Sequence, residues 1–135
     1  MSWIKNIPLF AYLLLLYNAV LFANGTITWA TEMQSIAMMS GAVFVVSVGE
    51  ALLMLGVVAL YVEIFKATRG ASVAIFDHLF SMLTFVGFLV EFLLVAKAAT
   101  PLFFTLMLMS CLDVVAGFTV TISGARRDVG IHSEL

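Results

Sequence analysis

The chain has 135 residues, of which 64% are hydrophobic and 10% charged, against roughly half and a quarter in an ordinary soluble domain. Such a composition belongs in a lipid bilayer, and it leaves no room for a sizeable soluble catalytic domain. Six Lys and Arg against eight Asp and Glu give a net charge of -2, which excludes the basic patch of a nucleic-acid binder.

Spans of roughly 20 apolar residues can be laid along the chain four times. The first runs from Ile7 to Ala23, behind Lys5 and Asn6 and interrupted by Asn18, with Pro8 at its start, where a missing N–H costs nothing. A polar connector from Asn24 to Glu32 follows, carrying Trp29. The second span is expected from Ile36 to Val62, closing on Glu63, Lys66 and Arg69. At about 1.5 Å per residue it exceeds the bilayer core and should tilt or protrude. Gly70 and Ser72 mark a turn, and a third span runs from Val73 to Ala96, ending at Lys97. Thr100-Pro101 reads as an N-cap with a proline at the first helical position. It opens a fourth span, from Leu102 to Ile122, which Gly124 should terminate. The polar tail from Ala125 to Leu135 is too short to fold alone. No repeat or linker divides the chain, so 1–135 reads as a single transmembrane domain.

Orientation follows from the basic residues, which accumulate on the cytoplasmic side. Lys5, Lys66, Arg69, Arg126 and Arg127 share one side of a four-span chain and Lys97 alone lies on the other. Both termini are therefore expected in the cytoplasm. The expected architecture is all-α: an antiparallel four-helix bundle in a plasma membrane, a bacterial inner membrane being the natural host for so small a multi-pass chain. Trp3, Tyr12, Trp29 and Tyr61 fall near span ends, as an interfacial aromatic belt requires. A competing parse makes the first span a secretory signal cleaved before Thr26, and Asn24-Gly25-Thr26 matches a glycosylation acceptor on the outer side.

Three carboxylates fall inside the expected spans: Glu50 near the middle of the second, Glu91 in the outer third of the third, and Asp113 near the middle of the fourth. Intramembrane acids must face protein or water, and they mark candidate sites. Asp77, Ser81, Thr84, Gly87 and Glu91 share one helical face, as do Ser110, Asp113, Gly117, Thr121 and Gly124, while Gly49 and Gly56, with Ala42, form a small-residue seam. One reading makes these stripes helix-packing surfaces. The other strings Glu50, Glu91 and Asp113, helped by Thr84 and Ser110, into a proton or cation path.

Glu63, Lys66, Asp77 and His78 should gather at the cytoplasmic boundary, as a polar cluster rather than the minimal metal site that His and two acids would allow. No metal or cofactor is expected. Only His78 and His132 are available as haem ligands, and neither lies deep in a span. Cys111 has no partner for a disulfide, and Met38-Met39 lacks the further soft ligands of a metal site. No hydrolase elbow, zinc-protease pair or phosphate loop occurs. The sequence therefore points to a non-enzymatic accessory or scaffold subunit, its partners being the bilayer and other membrane subunits or further copies of itself. The alternative is a proton- or cation-conducting small transporter.

Overall fold

The computed structural model describes residues 7–23, 25, 27–69 and 71–132. Trp3, Lys5, Asn6, Asn24, Thr26, Gly70 and Leu135 lie outside the described residues. The order of elements is helix α1 (Leu9–Phe22), strands β1 (Glu32–Ala37) and β2 (Val43–Ser47), then helices α2 (Val48–Ala67), α3 (Ala71–Leu94) and α4 (Pro101–His132), with a 3-10 turn at Ala96–Ala98 before α4. Among the described residues three helices are long and apolar enough to cross a membrane, those at Val48–Ala67, Ile75–Leu94 and Pro101–Gly130. Helix α1 is equally apolar, but its 14 residues rise about 21 Å.

The expected second span is corrected at its start. Residues 32–47 form an antiparallel hairpin, pairing Ala37 with Val43 and Glu32 with Ser47, and the helix begins only at Val48. Met38 N–H bonds to Ala42 O at 2.8 Å across the turn. Gly41 supplies the one positive φ among the described residues, 82°, a conformation closed to most side chains. The run from Val43 to Val46 is β-branched or aromatic, which favours a strand. Ser47 then caps α2 with its side chain, so the chain passes from strand to helix without a loop.

The end of α4 is corrected as well. Gly124 does not stop the helix, which runs through the polar tail to His132. A glycine ends a helix by adopting a left-handed conformation, and Gly124 has none.

Helix α4 packs against α2 and α3, and α1 packs against the same two helices. Glycines of α2 set its approach to α4. A Cβ at Gly49 would lie 3.2 Å from a Leu102 methyl, and one at Gly56 would lie 2.8 Å from the Met109 sulfur. Of the predicted small-residue seam, Gly49 and Gly56 therefore perform that role, whereas Ala42 lies in the hairpin turn. The buried core comprises Phe10, Leu13 and Tyr17 of α1, Leu52 of α2, Phe88 of α3, and Phe103 and Leu106 of α4. Outward positions such as Leu15, Val58, Leu83 and Leu93 are exposed, as lipid-facing residues must be.

Candidate functional site

At the hairpin end, Glu50 occupies the third helical position of α2 rather than the middle of a span. Its Oε2 accepts from the Ser47 N–H at 2.7 Å and from the Ser47 hydroxyl at 2.9 Å, and its own N–H donates to Ser47 Oγ at 3.4 Å. This reciprocal capping box satisfies donors that a helix start leaves unpaired. Glu50 is exposed, so its expected position near the middle of a span is corrected: it closes the capping box at the start of α2.

Glu91 lies near the same end of α3. Its Oε2 accepts from the Asn18 side chain at 2.8 Å, and the same amide nitrogen donates to Leu14 O at 3.0 Å. Asn18 is the polar residue that interrupts α1, and this bond across helices accounts for it. Beside it, Tyr17 shares a 3.2 Å hydrogen bond with Thr100 and stacks on Trp29 with ring centroids 4.6 Å apart. Trp29 O in turn accepts from the Gly49 N–H at 2.9 Å. The tryptophan assigned from sequence to an interfacial belt is therefore also a structural pin joining α1, the connector and α2.

The other end of the helices gathers the boundary cluster, with Asp113 added to it. Glu63 is 5% exposed. Its Oε1 accepts from the Leu9 N–H at 2.6 Å, and Lys66 Nζ donates to both its oxygens at 3.1 Å. The carboxylate thus fixes the start of α1 to the end of α2. Glu63, Lys66, Asp77, His78, Ser81, Asp113 and Gly117 line one cavity of about 20 Å³. That is room for about one water molecule and nothing larger.

Asp113 is 6% exposed, and its Oδ2 is buried without a hydrogen-bond partner, as are Asp77 Oδ1 and His78 Nε2. The His78 ring lies over Gly117, where a Cβ would come within 2.6 Å of the imidazole, and meets Phe118 edge-on at 3.9 Å between centroids.

Of the remaining candidates, Ser110 is fully buried one turn from Asp113, its hydroxyl unpartnered. Thr84 bonds back to Phe80 O of its own helix at 2.8 Å and reaches no other element. Between Ser110 and the Glu91–Asn18 pair lies a closed apolar layer, with Phe88, Phe103 and Leu106 each 0% exposed. From Ser81 to Glu91 the helix rises about 15 Å, and within that interval no described polar side chain links the two ends.

The three acids therefore occupy separate positions: Glu50 in a cap, Glu91 in a bond across helices, and Asp113 in a small polar cavity. Among the described residues no three His, Cys, Asp or Glu side chains are placed to hold a metal ion. No protein-family model, curated protein or solved structure matches the chain.

Proposed function

We propose that this chain is a non-enzymatic accessory or scaffold subunit of a membrane assembly, built as an antiparallel bundle of four crossings with both termini cytoplasmic, in a membrane of the bacterial inner-membrane type. The observation that carries this reading is the division of its polar groups. Two polar ends are separated by the Phe88–Phe103–Leu106 layer; the cavity at the Glu63 end, about 20 Å³, has no room for a solute, and the open groove of about 360 Å³ beside Trp29 and Glu50 lies at the hairpin end alone. A carrier for protons or cations, the alternative, needs those groups on one connected route.

The surface supports an assembly role. The hairpin exposes Met33, Ile36, Met38, Met39, Val43 and Phe44. Its open strand edges exclude it from hydrocarbon, and an isolated two-stranded hairpin is marginal on its own. It sits outside the lipid as a surface for a neighbouring subunit.

The test is isolation from the native membrane in mild detergent, with mass spectrometry of the intact complex. A second integral membrane protein in fixed stoichiometry is expected. A monomer, or an oligomer of this chain alone, overturns the accessory-subunit reading. In parallel, reconstituted vesicles are expected to show no proton flux above lipid alone. Flux abolished by Asp113→Asn and Glu91→Gln would establish the carrier instead.

A further inference from the structure

We propose that the cavity between α2, α3 and α4 is a binding site for one water molecule and one dissociable proton, with Asp113 as the group that takes the proton. This goes beyond the scaffold reading and does not depend on it.

The groups facing the cavity are Glu63 and Lys66 from α2, Asp77, His78 and Ser81 from α3, and Asp113 and Thr121 from α4. Glu63 is already committed, one of its oxygens to the Leu9 N–H and both to the Lys66 ammonium. Asp113 is committed only in part: its carboxyl is hydrogen-bonded to Ser81, but it is more than nine-tenths buried and its Oδ2 has no partner. Asp77 Oδ1 and His78 Nε2 are buried and unpartnered beside the same space. Buried polar atoms are rarely left so, and a water needs two to four such partners and one probe sphere of room. The cavity supplies both.

The chemistry favours a proton over a metal cation. Imidazole is a poor ligand for the hard cations that oxygen donors select, and the described acids and histidine form no metal-binding group. Proton transfer requires only the groups present. A hydronium in the cavity gives its proton to Asp113 Oδ2, an O–H bond forming as the water O–H breaks, and leaves a neutral carboxyl and a neutral water. His78 positions that water, and Gly117 permits the ring to lie where it does.

The test is infrared difference spectroscopy of the full chain in lipid nanodiscs, taken between neutral and acidic pH, with the aspartates carbon-13 labelled. The expected result is a protonated-carboxyl C=O band with the aspartate isotope shift, lost in Asp113→Asn and kept in Asp77→Asn and Asp128→Asn. The last two variants give the answer even if Asp113→Asn does not fold. In His78→Gln the band stays but its titration midpoint shifts, and exchanging sodium for choline leaves the midpoint in place. The absence of such a band, its loss in Asp77→Asn or Asp128→Asn, its survival in folded Asp113→Asn, or a midpoint that follows sodium overturns the proposal.

Discussion

Glu63 shows how a single buried carboxylate holds two helices together. The Leu9 N–H is one of the donors that a helix start leaves unpaired, and Glu63 satisfies it while neutralising Lys66. Glu63→Leu removes the acceptor and leaves Lys66 without its acid. It is expected to destabilise the fold by about 2 kcal/mol, within the range for a hydrogen bond to a charged group, whereas Glu63→Gln, which keeps the acceptor for Leu9, costs less. Unfolding in mixed micelles measures both.

The Asn18–Glu91 bond is read the same way. Polar contacts between membrane helices average about 0.6 kcal/mol by double-mutant cycle and reach about 1.7. The cycle Asn18→Leu with Glu91→Leu should return a favourable coupling in that interval, and a coupling of zero would make the bond incidental. Asn18 was legible in the sequence as an anomaly within α1. Its partner was not, because one sequence does not say which face of α1 meets α3.

At the scale of elements, the junction of β2 and α2 is the most instructive. Ser47-Val48-Gly49-Glu50 carries the Ser-x-x-Glu spacing of a capping box, so the true start of α2 was written in the chain. Hydropathy concealed it, since Val43 to Val46 is as apolar as the helix that follows and the two merge into one run. The same merging moved Glu50 from a helix cap to an imagined span centre.

Ser47→Ala is expected to cost about 1 kcal/mol, the usual loss for an N-cap, and to speed amide exchange selectively at Glu50, whose N–H the serine accepts. Gly56 makes a second prediction. A Cβ there meets the flexible Met109 side chain at 2.8 Å and the buried Leu106 methyl at 3.1 Å, so Gly56→Ala is accommodated only by a shift of both side chains. Gly56→Val overpacks the contact between α2 and α4 and should cost about 1 to 3 kcal/mol. The helical tail was hidden in the sequence for a different reason. Gly124 and a polar composition both suggested an end, but nothing after it forces the chain out of helical geometry: no proline follows, and the glycine takes ordinary helical angles.

Across the whole molecule, charge and helix length bear on the same question. Lys66 lies in the last turn of α2 and Arg69 just beyond it, and Arg126 and Arg127 lie on the last turns of α4, whereas Lys97 sits at the turn between α3 and α4, with its ammonium 5.9 Å from the Phe22 ring at the end of α1. The proposed orientation, with the Glu63 end cytoplasmic and the hairpin end external, is the one this basic bias favours. Helix α1 is the weak link, because about 21 Å of helix spans roughly 30 Å of hydrocarbon only with help from flanking residues or local thinning of the bilayer.

Labelling of single cysteines from either face of intact cells, in a Cys111→Ala background, measures this directly, with Met39→Cys, Lys97→Cys, Arg69→Cys and Arg126→Cys as reporters and a tag ahead of Met1 reporting on α1. Positions 39 and 97 are expected to react from outside, and positions 69, 126 and the tag only after the membrane is opened. A tag accessible from outside would reduce the chain to three crossings, and protection of position 39 would contradict the external hairpin on which the assembly reading rests.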